Sequence, residues 1–198
     1  MSKISEARAR DVVKTVEIIW HGRGGQGVVT ANEVLAGAAL KEGKFIKAFP
    51  EFGPERMGAP IRAFTRISDA PIQVHSQVTI PDIVMVLDPT LLKQIDVVGG
   101  LKDGGVLIAN FTEGKDKLAG LLARKVECHA VNATRIAMDE IGRPTANTAM
   151  LGALIKIAEP VTLKTVTEEI QARFAGKFKP DVIAKNVRAV ERAYEEVD

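Results

Sequence analysis

Apolar residues fall in short runs over the first two thirds of the chain and at helical spacing over the last third. The run Val16 to His21 reads as a strand. In Val28 to Glu42, Val28, Ala31, Val34, Leu35 and Ala38 recur on one face of a helix, and Gly43 follows where a helix C′ glycine belongs. Lys44 to Phe49 is a second short strand, so a strand–helix–strand unit closes within about 30 residues. Ile61 to Ser68 alternates apolar and polar residues; Pro71 to Val78 is expected to pair with it as a hairpin across the turn Ser68-Asp69-Ala70-Pro71. Its Arg62 and Arg66 read as a solvated face. The unbroken run Ile83-Val84-Met85-Val86-Leu87 predicts a strand covered on both faces. Asp88, at its carboxyl end, suits either a ligand contact or the cap of a helix over Leu91 to Val97. Val106 to Asn110 and Lys125 to Val131 are further strands. Then come helices over Arg135 to Ile141, Ala153 to Ala158, Thr162 to Phe174 and Pro180 to Val197.

This order predicts an α/β fold: a Rossmann-like, doubly wound, mostly parallel but mixed sheet with C-terminal helices. Residues 1–15 read as a charged leader and 16–198 as one domain.

Two stretches punctuate the pattern. In Trp20-His21-Gly22-Arg23-Gly24-Gly25-Gln26-Gly27 the glycines at 22, 24 and 27 satisfy G-x-G-x-x-G between a strand and a helix. Such a turn brings backbone N–H groups close to a ligand, and the positive end of the next helix favours an anion there. The same spacing also serves a tight turn with close helix–strand packing. The second stretch, Pro50 to Pro60, holds three prolines and two glycines in eleven residues, so it is a stiff loop. It carries Glu51, Glu55 and Arg56, and it opens on the same sheet edge as the glycine turn.

Composition narrows the chemistry. A formal net charge of +2 with 5% aromatic residues gives no basic stripe or stacking platform, so nucleic acid is not an expected partner. No run approaches the roughly 18 apolar residues of a membrane span, and the charged leader has no apolar signal core; a cytoplasmic location is expected. The single cysteine, Cys128, forms no internal disulfide and reads as an inert strand thiol. It also cannot hold an iron–sulfur cluster, which needs about four thiolates. Three scattered histidines lack metal-ligand spacing. An NAD domain needs an acid about 20 residues past the glycines for the ribose, and Glu51 stands near that place but follows a proline. There is no Gly-x-Ser-x-Gly elbow or Walker lysine. The paired carboxylates, Glu168-Glu169 and Glu195-Glu196, fall on helices expected to be exposed. No catalytic residue and no metal ligand is assigned to this chain.

Three stretches taken together resemble one family. Gly22-Arg23-Gly24-Gly25-Gln26-Gly27, Phe49 to Pro60 and Asn147-Thr148-Ala149-Met150-Leu151-Gly152-Ala153 are similar to the gamma subunits of 2-oxoacid:ferredoxin oxidoreductases, most of all those of the pyruvate synthase type. The likeness runs from about Val16 to Val197. It implies a Rossmann-like subunit that packs on alpha, beta and delta-type partners. Those partners carry thiamine diphosphate and iron–sulfur clusters, and this chain alone holds no cofactor. The complex turns a 2-oxoacid and coenzyme A into acyl-CoA and carbon dioxide while ferredoxin is reduced. The gamma part helps to form the coenzyme A site. On this reading Gly22 permits the turn, and the N–H groups of Gly24, Gly25, Gln26 and Gly27 meet phosphate or a facing loop. Arg23 pairs with a coenzyme A phosphate. Glu51, Glu55 and Arg56 brace their loop or meet the catalytic subunits, and Asn147 and Met150 line the same edge. Inter-subunit packing is the alternative for all of these residues. The competing functions are a free-standing NAD(P)-binding oxidoreductase and a nucleotide-binding regulatory domain.

Overall fold

The computed structural model describes residues 14–51 and 58–198. Residues 1–13 of the expected leader lie outside them, and Thr15, the last residue of that leader, opens β1. Six strands form one sheet: β1 (Thr15–Arg23), β2 (Phe45–Glu51), β3 (Pro60–Ser68), β4 (Ile83–Val86), β5 (Val106–Asn110) and β6 (Glu127–Val131). Their spatial order is β2-β3-β1-β4-β5-β6. β1, β4, β5 and β6 run parallel, and β3 is antiparallel to both β1 and β2. The sheet is therefore mixed, as expected, with its parallel half around β4. All four residues of β4 are buried, because both of its edges and both of its faces are covered.

The helices are α1 (Val28–Lys41), α2 (Gly114–Ala119), α3 (Ala133–Glu140), α4 (Asn147–Ala158), α5 (Leu163–Phe174) and α6 (Pro180–Glu196). Local chemistry sets several ends. Gly43 has φ +73° and closes α1; Thr162 accepts from the Thr165 N–H at the start of α5; Pro180 occupies the first turn of α6.

Two apolar layers cover opposite faces. Ile18, Trp20, Ile83 and Met85 pack with α1 and α4 to α6 on one face, while Val84, Val86 and Leu107 pack with residues 92–101 and Leu118 on the other. The first layer also holds a buried polar chain. Trp20 Nε1 donates to Thr65 Oγ1 at 2.9 Å, Thr65 Oγ1 bonds Asn32 Oδ1, and Asn32 Nδ2 reaches Phe64 O. Asn32 thus ties α1 to β3, and the indole is buried with its N–H satisfied.

Several expectations are corrected. The hairpin of Pro71 to Val78 does not form: β3 already pairs on both edges, so no ladder is left for it. Residues 71–78 instead cross the sheet face, held by Arg66, which donates to Ser76 O and Gln77 O, and by Lys47, which donates to Val74 O. Arg66 is not solvated; it is 5% exposed and pairs with Glu17 at 2.6 Å. β2 does not lie beside β1, because β3 is inserted between them, although both point toward the same edge. The helix expected at Leu91 to Val97 is a short 3-10 turn, Pro89–Lys93, and Asp96 then turns the chain by accepting from Val98 N–H. α4 begins at Asn147 rather than Ala153. Glu169 is buried, flanked by Lys41 at 3.0 Å and Arg173 at 3.2 Å.

Candidate functional site

The carboxyl ends of β1 and β4 define the place where the winding changes side. α1 leaves β1 toward one face, and the segment after β4 leaves toward the other. In open α/β sheets a ligand crevice sits at such a point. Here side chains span it. The Asp88 carboxylate accepts from Arg23 Nε at 3.1 Å and from Gln26 Nε2 at 2.6 Å through one oxygen. The other oxygen accepts from the Thr90 N–H at 2.9 Å and the Thr90 hydroxyl at 2.6 Å. Arg23 reaches further: Nη1 donates to Gly58 O at 3.1 Å, and Nη2 donates to Thr90 Oγ1 and Gln94 Oε1, each at 2.8 Å. Four of the five guanidinium N–H groups are therefore committed within the chain. Burial opposes ionisation of Asp88, but the bonds from Thr90 and Gln26 and the charge of Arg23 outweigh it and hold its carboxyl below the usual range.

The glycine turn is braced from within. Gln26 Oε1 accepts from the Arg23 N–H at 2.8 Å, and the Gln26 N–H donates to Arg23 O at 3.1 Å. The Gly24 N–H donates to Ala59 O at 3.0 Å and Gly24 O accepts from Gly58 N–H at 3.3 Å, so the turn is stitched to the end of the Pro50–Pro60 loop. That juxtaposition is the one the loop's place after β2 led us to expect. Gly25 and Gly27 have φ of +89° and +78°, which only glycine adopts without strain. A Cβ on Gly22 would strike the Val28 side chain, and one on Gly27 would strike the Asn147 amide.

The other predicted residues divide. Glu51 pairs through both oxygens with Arg62, at 2.5 and 3.0 Å, and accepts from Gln77 Nε2 at 3.1 Å; the Arg62 bond first of all holds its carboxyl below the usual range. Glu55 and Arg56 lie outside the described residues. Asn147 opens α4 and donates from Nδ2 to Gly27 O at 3.3 Å, so it touches the turn. Met150, one turn on, is fully buried in the core and presents no surface.

A cleft of about 650 Å³ begins at Gly27 and Asn147. It is bordered by Thr30, Arg143, Lys177 and Phe178, and the N-terminal ends of α1 and α4 meet there. Phe178 is half-exposed and packs edge-on against Phe174. Sequence reading passed over Arg143 and Lys177, since isolated cations in loops carry no local signal. It also passed over Thr90 and Gln94, whose partner Arg23 is more than sixty positions away.

On the other sheet face His21 closes a hollow of about 400 Å³ beside Glu51, Arg62, Leu91, Ile95 and Asp96. It is 6% exposed, and its Nδ1 has no partner among the described residues. Burial, and then the Arg62 charge, lower its pKa to about 4 despite Glu51. The imidazole is thus neutral at neutral pH. Cys128 is half-buried with its thiol pushed up, chiefly by burial, which suits the inert role expected of it. No group of three or more metal-ligating side chains occurs among the described residues.

These features define a class: an α/β fold with a glycine turn at the point where the winding changes side and a crevice there bridged by Arg23, Gln26 and Asp88. The chain belongs to the pyruvate ferredoxin/flavodoxin oxidoreductase family, which matches its residues 17–196, and within it to the gamma subunits of those multi-subunit enzymes. It is 48% identical over 180 residues to the pyruvate/ketoisovalerate oxidoreductases common subunit gamma of Thermococcus kodakarensis, covering 90% of this chain and 95% of that one. It is 45% identical over 184 residues to the pyruvate synthase subunit PorC of Thermotoga maritima, covering 93% and 95%. The crystal structure of pyruvate oxidoreductase subunit PORC from Thermotoga maritima superposes with a TM-score of 0.83 at 42% identity, over 93% of this chain and 98% of that chain.

Proposed function

We propose that the glycine turn, Asn147 and the cleft beside them form one wall of a coenzyme A site that partner subunits complete. The complex so formed oxidatively decarboxylates a 2-oxoacid, pyruvate first among them, to acyl-CoA and carbon dioxide, with ferredoxin as electron acceptor. Alpha, beta and delta-type subunits are its partners, in the cytoplasm. The observation that carries this reading is the bridged crevice. Arg23, Gln26 and Asp88 occupy the point where a dinucleotide pyrophosphate would lie, so the nicotinamide alternative loses its site. The anion-favouring N-terminal end of α1 instead faces a cleft that Arg143 and Lys177 border.

This corrects the weight given to Arg23. Its guanidinium is spent on Asp88, Gly58, Thr90 and Gln94, so it shapes the wall rather than binding phosphate. The N–H groups of Gly24 and Gln26 are likewise spent, on Ala59 O and Arg23 O, so phosphate falls to the N–H groups of Gly25 and Gly27 and to the cations at the cleft. One cysteine is too few to ligate an iron–sulfur cluster, which supports placing the clusters in the partners; thiamine diphosphate goes with them on the family reading. Thiamine diphosphate supplies carbanion stabilisation at the oxoacid. This chain's part is to bind and orient the coenzyme.

Tagged chain drawn from native cells is expected to bring down cluster-bearing and thiamine-binding chains, and the eluate to reduce ferredoxin with pyruvate only when coenzyme A is added. Recovery of the chain alone, or reduction indifferent to coenzyme A, sinks the reading.

A further inference from the structure

We propose that Asp88 is the positioning residue of this wall: its carboxylate fixes the glycine turn in the shape that receives coenzyme A. The proposal rests on the coenzyme A reading and deepens it. Asp88 itself faces Arg23, Gln26 and Thr90, and every one of those contacts is an N–H or O–H donor. Gln26 carries the constraint into the turn, since one end of its amide accepts from the Arg23 N–H and the other donates to Asp88. Arg23 carries it across to Gly58, where the neighbouring loop joins.

The chemistry demands an ionised acceptor at position 88, with no neutral isostere equivalent. An asparagine there must offer its NH₂ either to Thr90 N–H or to the pair Gln26 Nε2 and Arg23 Nε. Each choice sets donor against donor. Turning the Gln26 amide over does not help, because its NH₂ would then face the Arg23 N–H. No combination of amide orientations satisfies all four groups, so the turn is released from one side or the other.

The test uses the assembled complex and compares Asp88→Asn with Asp82→Asn. Asp82, just before the other end of β4, accepts from the Glu17 N–H at 2.8 Å and pairs with Lys102 at 2.9 Å, so its loss perturbs the same strand far from the turn. Asp88→Asn is expected to raise the KM for coenzyme A about tenfold, the factor that follows from losing roughly one charge-assisted hydrogen bond, with kcat and the KM for pyruvate little changed. Asp82→Asn is expected to leave all three alone. If Asp88→Asn does not assemble, Thr90→Val serves, because it removes one hydroxyl from the same carboxylate and is expected to raise that KM about threefold. Gly27→Ala separates the two levels of the argument. A raised KM in Gly27→Ala with none in Asp88→Asn (or in Thr90→Val, where that stands in) overturns the Asp88 role and spares the coenzyme A reading. An unchanged KM in Gly27→Ala overturns both. Equal effects of Asp88→Asn and Asp82→Asn reduce Asp88 to a stability residue and overturn the proposal.

Discussion

Replacing Gly152 by alanine is expected to cost about 3 kcal/mol of stability, a large loss for adding one methyl group to a helix. In an exposed helix the same change stabilises by roughly 1 kcal/mol. The sign reverses because a Cβ at position 152 would run into the Val190 carbonyl and lie 2.9 Å from the Tyr194 nitrogen, both backbone atoms of α6. Neither can swing aside as a side chain can. α4 and α6 would have to separate, opening the layer that holds Ala153, Ala189, Val190 and Ala193. Gly37→Ala makes the comparison. Its three nearest neighbours would all be Glu169 side-chain atoms, which can shift where backbone cannot, though at the cost of loosening the pairs with Lys41 and Arg173, so the expected cost is about 1 kcal/mol. Thermal unfolding of the isolated chain should show Gly152→Ala melting roughly 6–12 °C below wild type. Equal melting temperatures for the two variants would contradict the close helix contact.

The second large effect is a pH dependence centred on His21. Its pKa is about 4 in the folded chain and about 6.5 when unfolded. Between these values the unfolded chain binds the proton and the folded chain does not. Stability from this residue is therefore present above about pH 6.5 and is lost as pH falls toward 4. The full difference corresponds to about 3 kcal/mol, of which roughly 2–3 kcal/mol is lost between pH 7 and 4.5. Paired carboxylates such as Asp88 and Glu51, also held low, weaken over the lower part of the same range, so the measurement must be a difference. Urea midpoints of wild type and His21→Phe at pH 7 and 4.5 should show the wild type losing about 2–3 kcal/mol more than the variant. Parallel losses would mean that His21 is protonated or solvated in the folded chain.

What the sequence revealed, and what it hid, follows from the range of each interaction. The glycine turn and Gly43 act on their own neighbours and are marked by local spacing, and Thr162 and Pro180 stand where helices are expected to begin. The apolar run of β4 was equally plain, because burial on both faces leaves no polar position. The failures involve distant partners. β3 was given a hairpin with residues 71–78 because the pattern could not show that β1 and β2 take both its edges. Arg66 and Glu169 looked like surface charges; each is buried against an opposite charge, from Glu17 on β1 or from Lys41 on α1. Met150 was placed on the site edge with Asn147, yet every residue from Asn147 to Ile155 is buried, as a central helix requires. The near-continuous apolar composition of Ala149 to Ile155 was the available signal. Asp88 had been left between cap and contact. It caps Thr90 and also gathers Arg23 and Gln26, which no local pattern could reveal.

The central claim is that the turn at Gly24 to Gly27 faces coenzyme A within the assembled complex and has no dinucleotide of its own. Hydrogen exchange read at the backbone amides of Gly25 to Val29 tests it most directly. Coenzyme A added in excess to the complex should slow exchange of these amides roughly tenfold or more, and NAD(P) added to the isolated chain should leave them unchanged. Amides indifferent to coenzyme A in the complex, or protected by NAD(P) in the isolated chain, would contradict it.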